Sequence, residues 1–341
     1  MPVRIAILGA GFMGSTHARA IQSLDKDDIE IAAISGMSEA RARPLADEIG
    51  VPWTTELETL VADPTIDAVD ICLPGPQHRA VTEAALAAGK HVLLEKPIAL
   101  TMEDADALVA MDGRTDRVFT IAHVLRCWPE YMEIQRRVGS GDYGKPISAL
   151  AFRRQPFPAW SPLFGRSDLT GGAVLDMMIH DYDALNWLLG PPSSVSCRGV
   201  ANPRSGGGID QIQAMIGYGD ASALVDGGMM MPESYPFTSA LHVLCERGAF
   251  EYSFRAGGRS VEMGGGVNEL VLYPNEGEPQ TLSVEQANPY AAEIAYFVDC
   301  IKHGRRADRA SPADARTALR LAHAARDSVA SGAVVEIAPP R

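Results

Sequence analysis

The chain has 341 residues, of which 46% are hydrophobic, 21% charged and 6% aromatic, a globular composition that argues against a disordered protein. The 43 acidic and 30 basic residues give a net charge of −13, which argues against a nucleic-acid or anionic-membrane partner because both would repel it. The length predicts about two domains.

The cysteines and the apolar segments indicate where the protein works. No C-x-x-C pair occurs among the five widely separated cysteines, so we expect reduced core thiols rather than disulfides or a thiolate metal site. No apolar run reaches the length of about 18 residues that a membrane helix needs. A strand-like run begins at Val3, and we therefore expect no signal peptide and a cytoplasmic location.

The first third of the chain alternates short apolar runs with helical patterns, which predicts a doubly wound parallel sheet in a domain over residues 1–122. One of its helices starts with a capping-box pattern, Thr101 to Asp104. The predicted strands are Val3–Leu8, Ile29–Ile34, Val51–Trp53, Ala68–Leu73, His91–Leu94 and Val118–Ala122.

A glycine-rich turn follows the first predicted strand. The residues Gly9-Ala10-Gly11-Phe12-Met13-Gly14 open a helical segment, Ser15–Gln22. Glycines at these three positions allow a tight turn, approach of a pyrophosphate and close helix packing, while the N–H groups at the helix start face the anion. The strand, turn and helix together predict a dinucleotide-binding site.

The end of the second strand bears on the choice of cofactor. An acidic residue there would bind the ribose 2′-hydroxyl of NAD and repel a 2′-phosphate. This chain has Ser35-Gly36-Met37-Ser38 instead, with Arg41 and Arg43 close behind. We favour NADP, with Ser35, Ser38 and an arginine around the 2′-phosphate. The alternative is that both arginines are solvated and NAD binds without the acid.

The fifth strand ends in Glu95-Lys96-Pro97, at the edge of the sheet where open α/β sheets bind ligands. A lysine there can point at the nicotinamide end of the crevice and hydrogen-bond a substrate hydroxyl or help move its proton. The alternative is an ordinary surface lysine.

After about residue 145 the pattern changes to strands separated by glycine-rich and proline-rich turns, which predicts a largely antiparallel sheet in a second α+β domain over residues 123–341. Helices are predicted at Gly172–Leu189 and Pro312–Ser328. The predicted strands are Pro146–Phe152, Ser194–Val200, Gln211–Ile216, Ala221–Met230, Leu241–Cys245 and Glu269–Tyr273.

A polar stripe occurs on the apolar helix predicted at Gly172–Leu189. At about 100° per residue, Asp176, His180, Asp183 and Trp187 share one face. A carboxylate one turn from an imidazole can orient it as a general base for alcohol oxidation. The alternative is that these groups only satisfy one another or anchor a domain interface. We expect no metal, because no third ligand has suitable spacing.

Together these motifs resemble the glucose-fructose oxidoreductase/inositol dehydrogenase (Gfo/Idh/MocA) family. The resemblance covers nearly the whole chain and implies an N-terminal Rossmann domain and a C-terminal domain whose open sheet mediates dimers or tetramers. The motifs are Gly9-x-Gly11-x-x-Gly14, Pro74-Gly75-Pro76-Gln77-His78, Ala88–Pro97, Gly171-Gly172-x-x-x-Asp176-x-x-x-His180-x-x-Asp183, Arg126–Tyr131, Gly144-Lys145-Pro146 and Pro312-Ala-Asp314.

The resemblance also implies roles for particular residues. His180 would be the acid/base, and Asp176 would hold the substrate or tune the site. Lys96 would hydrogen-bond the reacting oxygen, and a cis Lys-Pro bond after it would aim its side chain inward. The implied cofactor contacts are Gly9, Gly11, Phe12, Met13, Gly14, Ser35, Gly36, Arg41, Leu73, Pro74, Gln77, His78, Glu95 and Lys96. Two departures are Gly75, where many relatives have Asn, and Ser35, where an acid is frequent.

The predicted function is NAD(P)-dependent hydride transfer at a secondary hydroxyl or ketone of a sugar, inositol or related polyol. One alternative is a non-catalytic, cofactor-sensing regulatory protein on the same fold. Another is an enzyme resembling dihydrodiol dehydrogenase or biliverdin reductase. Candidate substrate contacts are Arg126, Arg153, Trp160 and Asp168.

Overall fold

The structure, a computed structural model, describes residues 1–257 and 266–338. The chain forms two compact units: unit 1 is Met1–Trp128 with Gln286–Arg316, and unit 2 is drawn from Pro129–Glu285 and Thr317–Arg341. The sequence predicts a single division at residue 123. The structure differs because residues 286–316 return to unit 1.

Unit 1 contains the parallel sheet that the sequence predicts. Up to residue 128 its elements are β1 (Val3–Leu8), α1 (Phe12–Gln22), β2 (Ile29–Ser35), α2 (Glu39–Ile49), β3 (Trp53–Thr54), α3 (Leu57–Ala62), β4 (Ala68–Ile71), α4 (His78–Ala87), β5 (His91–Glu95), α5 (Met102–Asp112) and β6 (Phe119–Ala122), with 3₁₀ turns at Gly75–Gln77 and Val124–Cys127. The six strands pair in parallel in the order β3-β2-β1-β4-β5-β6, the Rossmann arrangement.

Burial explains the apolar runs of this sheet. Strands β4 and β6 are buried along their whole length, as expected where helices cover both faces of a parallel sheet. The predicted cap of α5 is confirmed, because Thr101 Oγ1 accepts the Asp104 backbone N–H at 3.1 Å. The glycine-rich turn and the Glu95-Lys96-Pro97 turn both follow carboxyl ends of these strands.

Within the described residues, unit 2 contains a nine-stranded sheet. The elements after residue 128, in chain order, are α6 (Pro129–Ser140), β7 (Pro146–Pro156), α7 (Ser167–Thr170), α8 (Ala173–Asp176), α9 (Ile179–Leu189), β8 (Ser194–Asn202), β9 (Gly208–Tyr218), β10 (Ala221–Met231), β11 (Thr238–Cys245), β12 (Gly248–Arg255), β13 (Val267–Pro274), β14 (Gln280–Thr281), α10 (Pro289–Lys302), α11 (Pro312–Ser331) and β15 (Val335–Glu336), with 3₁₀ turns at Pro162–Gly165 and Pro203–Ser205. The strand order is β14-β13-β12-β11-β7-β10-β9-β8-β15. Only the β7–β10 pair is parallel among the described strands of this sheet, so the predicted, mostly antiparallel architecture is confirmed.

The continuous helix predicted at 172–189 is wrong. Helix α8 ends at Asp176, the Met178 N–H bonds back to the Ala173 carbonyl at 2.8 Å, and α9 begins at Ile179. The hydrogen-bond ladder is interrupted between the two helices, so Asp176 and His180 do not share the face of one helix. The apolar sequence gives no sign of this break, because both helices are buried on most sides.

Helix α10 was not predicted, although it completes the core of unit 1. Its buried residues Ile294, Phe297 and Val298 belong to the same apolar cluster as Ile5 and Ile7 of β1. No helix in the described part of the chain has the length and apolarity that a bilayer crossing requires.

Candidate functional site

The glycine-rich turn between β1 and α1 has the shape of a phosphate site. Gly9 has φ +119°, and a Cβ there would lie 2.4 Å from the Cys72 carbonyl oxygen; one at Gly14 would lie 1.8 Å from the Gly9 carbonyl oxygen. These two positions therefore require glycine. A Cβ at Gly11 would meet nothing within 4 Å, so this glycine leaves room at the start of α1, where an anion binds.

The end of β2 lies beside this turn. Ser35 is buried, and its carbonyl oxygen accepts the Gly9 N–H at 3.0 Å. Gly36 packs closely on α2, since a Cβ there would lie 3.0 Å from the Ala42 Cβ. Ser35 and Gly36 thus shape the turn with their backbone. Of the other predicted contacts here, Phe12 is exposed and Met13 is partly buried.

The two arginines of α2 differ in their partners. Arg43 is paired with Glu39 at 3.0 Å and lies 3.6 Å from Asp47. Arg41 is exposed and forms no ion pair within the described residues. Arg41 is therefore a cation near this turn without an ion-pair partner among the described residues, whereas Arg43 forms surface ion pairs with Glu39 and Asp47.

The turn after β4 is tied to the turn after β5 by a buried imidazole. His78 Nε2 lies 2.8 Å from the Leu73 carbonyl oxygen, and Nδ1 lies 2.8 Å from the Pro97 carbonyl oxygen. Burial lowers the pKa of His78. His78 is only 1% exposed, so this link between the two turns is buried. Pro74 and Gln77 lie in the turn after β4, which the resemblance places against the nicotinamide.

The turn after β5 has the form that the resemblance implies. The Lys96-Pro97 peptide bond is cis, which confirms that expectation. Glu95 is buried, and its Oε2 accepts the backbone N–H of Lys96 at 3.0 Å. Lys96 is partly exposed. Gly75 of the preceding turn packs near Leu100, whose Cγ would lie 3.0 Å from a Cβ there.

In unit 2, the candidate acid/base residues lie at the junction of α8 and α9. Asp176 is the last residue of α8 and His180 is in the first turn of α9; both are partly exposed. The next residue, Asp181, is buried and forms a two-pronged ion pair with Arg153 of β7, at 2.8 and 3.1 Å. This pair fixes the first turn of α9, and with it His180, to the sheet.

Two of the four candidate substrate contacts, Arg126 and Arg153, are buried, and the other two, Trp160 and Asp168, are exposed. Arg153 is occupied by Asp181, and Arg126 is 3% exposed, with Nη1 donating to the Arg309 carbonyl at 2.6 Å in unit 1. Both arginines therefore have structural partners. Trp160 is 62% exposed, and Asp168 pairs with Arg166 at 2.6 Å on the surface.

Sequence reasoning missed two buried polar sites. Asp210 of β9 is fully buried, and its Oδ1 accepts the Ala173 N–H at 3.1 Å. Burial raises the pKa of Asp210, and the Asp176 carboxylate adds to this effect. In unit 1, His17 of α1 contacts Asp70 of β4 at 2.8 Å. His17 follows the glycine-rich turn by one helical turn, a spacing that could have drawn attention to it.

A glycine-rich turn after the first strand of a Rossmann sheet is typical of a dinucleotide-binding protein. Family models match at residues 3–123 (an oxidoreductase family with an NAD-binding Rossmann fold, GFO/IDH/MocA) and at residues 131–251 (the GFO/IDH/MocA C-terminal domain). The chain therefore belongs to the GFO/IDH/MocA family of oxidoreductases and is an NAD(P)-dependent dehydrogenase or reductase.

Individual relatives agree with this assignment. The chain is 31% identical to a 1,5-anhydro-D-fructose reductase of Ensifer adhaerens, over 81% of this chain and 82% of the relative. It is 26% identical to scyllo-inositol 2-dehydrogenase (NAD(+)) of Bacillus subtilis, over 98% and 96% of the two chains. A solved structure of a putative myo-inositol dehydrogenase from Sinorhizobium meliloti superposes with a TM-score of 0.81 at 25% identity, over 98% and 100%.

Proposed function

We propose that the protein transfers a hydride between a nicotinamide cofactor and a secondary hydroxyl or ketone of a sugar, inositol or related polyol. The observation that carries this proposal is Lys96, at the end of β5 on the same sheet edge as the phosphate turn after β1. Strand β4 separates β1 from β5, so the two turns are about 10 Å apart across the sheet. The substrates named for the relatives are inositols and an anhydro sugar.

The family resemblance implies the roles of the site residues, and the chemistry of each side chain supports them. A nicotinamide cofactor held at the Gly9–Gly14 turn would supply the hydride acceptor for oxidation of the alcohol carbon. His180 takes the hydroxyl proton as general base, and Lys96 donates a hydrogen bond to the oxygen as it becomes a carbonyl. Asp176 holds the substrate or tunes the site. The Asp181–Arg153 pair keeps the His180 backbone in place.

Turnover tests these roles directly. We expect NAD(P)H to appear with at least one member of a polyol and sugar panel, and Lys96→Ala to abolish turnover while cofactor still binds. Retained turnover in K96A would refute the role of Lys96. Cofactor binding without turnover of any panel member would instead indicate a cofactor-sensing protein.

For the cofactor we propose NADP. The side chain of Ser35 carries no charge to repel a 2′-phosphate, and the exposed Arg41 lies on the helix that follows. Arg41→Ala should weaken NADPH binding about tenfold or more and leave NADH binding unchanged, because a charge-assisted contact to phosphate is lost. Arg43→Ala is the matched control, since Arg43 lies on the same helix and is already paired with Glu39. Equal or tighter binding of NADH than of NADPH by the unaltered protein would overturn the preference.

We also propose a homodimer or homotetramer assembled through the open sheet of unit 2. Met215, Leu224 and Leu244 are 63%, 44% and 46% exposed on adjacent parts of one face. Leu224 lies opposite Met215 of β9 and Leu150 of β7, so the apolar surface is continuous across these strands. Leu224→Glu should lower the mass measured by sedimentation, whereas Leu163→Glu, in an exposed 3₁₀ turn, should not. An unchanged mass in L224E would contradict this interface.

We place the protein in the cytoplasm. All five cysteines are free thiols in the structure, which suits a reducing compartment. Fractionation of cells that produce the protein would test this location, and recovery from an exported fraction would refute it.

A further inference from the structure

Three buried ionisable side chains, Asp70, His17 and Glu95, form a row that ends at the Glu95-Lys96-Pro97 turn. His17 Nδ1 lies 2.8 Å from Asp70 Oδ2, and His17 Nε2 lies 3.4 Å from Glu95 Oε1. The second oxygen of Glu95 accepts the backbone N–H of Lys96 at 3.0 Å. The contacts therefore run from Asp70 through His17 and Glu95 to the candidate catalytic lysine.

The geometry around His17 suits a doubly protonated ring. The side chains of His17 and Asp70 are fully buried, and that of Glu95 is 6% exposed. Each ring nitrogen faces a carboxylate oxygen, and ionised carboxylates only accept hydrogen bonds. Nδ1 is hydrogen-bonded to Asp70, whereas the Nε2 contact with Glu95 lacks hydrogen-bond geometry, so a proton on Nε2 is favoured by the charge of the nearby Glu95 carboxylate.

The surrounding acids explain why such a cation is stable without water. Burial lowers the pKa of His17, but Asp70 and then Glu95 outweigh this effect, and the pKa is raised to about 9. Burial raises the pKa of Glu293 well above its ordinary value, so we take this acid as neutral. The positive charges of His17 and Lys96 then balance the negative charges of Asp70 and Glu95.

Two uncharged groups also lie close to His17 or to its partner Asp70. The Cys72 thiol donates to Asp70 Oδ1 at 3.4 Å, and burial raises the pKa of this thiol, so it stays protonated. The ring of Tyr290, on α10, lies 6.0 Å from the imidazole. Neither group supplies a charge, so Glu95 depends on His17 and Lys96 to offset its burial.

Glu95 connects the row to the reaction. Burial raises the pKa of Glu95, the cations of His17 and Lys96 lower it, and Asp70 raises it. Without the His17 charge, Glu95 would take up a proton at a higher pH. Lys96 would then lose the anion beside it in the turn.

We propose that His17 is a positioning residue, whose imidazolium keeps Glu95 ionised so that Glu95 holds Lys96 for the reacting oxygen. This inference rests on the proposed function of Lys96. The residue itself touches neither the substrate nor the cofactor in this scheme, and it acts only through Glu95.

Steady-state kinetics over a pH series would test the coupling. We expect His17→Gln to lower kcat about tenfold or more at neutral pH and to move the acid limb of the kcat profile up by about one pH unit or more. The KM for the cofactor should change less than about twofold. Glu95→Gln should reproduce the low kcat, and the double variant should be no worse than E95Q, because the two residues act as one unit.

The matched control is His91→Gln. His91 is a partly buried histidine at the opposite end of β5, and its Nδ1 accepts the Val118 N–H at 2.9 Å. Its replacement should leave the kcat profile unchanged. A wild-type profile in H17Q, or additive losses in the double variant, would overturn the proposal.

The charge of His17 can be measured without any substrate. In ¹⁵N-histidine NMR spectra of the unaltered protein, assigned by comparison with H17Q or D70N, both His17 nitrogens should remain protonated at about pH 7–8. A neutral ring in this range would overturn the proposal even if K96A is inactive. So would a stoichiometric metal ion on His17, Asp70 and Cys72, whose ligand atoms lie within 4.8 Å of one another.

These readouts separate the two proposals. If the unaltered protein turns over no panel member, the proposed function fails, and the NMR result still decides whether the buried row is ionised. If H17Q does not fold, E95Q and the spectra of the unaltered protein carry the test.

Discussion

The buried Arg153–Asp181 pair supports both the stability of unit 2 and the placement of His180. The two side chains are 7% and 0% exposed, and two hydrogen bonds join them. Asp181→Asn keeps the shape of the side chain but leaves the guanidinium buried without its anion. Breaking such a pair from one side costs about 3–5 kcal/mol, which corresponds to about 6–20 °C in Tm for a unit of this size.

Scanning calorimetry and urea denaturation would measure this loss. Asp168→Asn is the matched control, because its pair with Arg166 is 60% exposed on both sides and such surface pairs contribute about 0–1 kcal/mol. The double variant R153M/D181L should recover most of the loss, since it leaves no unpaired charge. If D181N is as stable as D168N, the buried pair does not stabilise unit 2. We also expect D181N to lower kcat more than it raises KM, because Asp181 follows His180.

Two further predictions concern unit 1. Gly11→Ala should abolish cofactor binding without lowering Tm, because its Cβ would meet no protein atom. Gly14→Ala should also destabilise the fold, because its Cβ would lie 1.8 Å from a carbonyl oxygen. Fluorescence titration would measure cofactor binding and calorimetry would measure Tm; equal Tm losses in the two variants would contradict the reasoning. Burial, then the Arg117 cation, lowers the pKa of His91 from 6.5 to about 4. The unfolded chain therefore binds more protons between these values, so stability falls as the pH decreases through this range, and His91→Gln should remove that part of the pH dependence in urea titrations.

The parallel sheet was predictable because its signals are local. Apolar runs such as Val3–Leu8 and His91–Leu94 return as strands within a residue of their predicted ends, and the Gly9–Gly14 motif is decided by contacts within one turn. Strand β12 was missed although Phe250 and Tyr252 alternate with polar residues, so that signal was present in the sequence. The break between α8 and α9 had no such signal, because both helices are apolar.

The roles of Arg126 and Arg153 could not be read from the sequence for a different reason. Arginines in loops and at strand ends are readily interpreted as substrate contacts. A guanidinium has a structural role instead when the fold places an anion or a carbonyl group beside it. Asp181 is 28 residues from Arg153, and the Arg309 carbonyl is 183 residues from Arg126. No local pattern marks partners at these separations.

The same limit explains why the buried row beside Lys96 was missed, and why it can be recognised once the fold is known. His17 and Asp70 are 53 residues apart, and Glu293 reaches them only because α10 returns to unit 1. Each of these residues alone is an unremarkable polar position on a helix or strand. A buried cation between two carboxylates is costly unless every charge is matched. Lys96 is one of the two cations that balance Asp70 and Glu95 in this row. The contacts that keep the row neutral therefore also hold the residue on which the proposed chemistry depends.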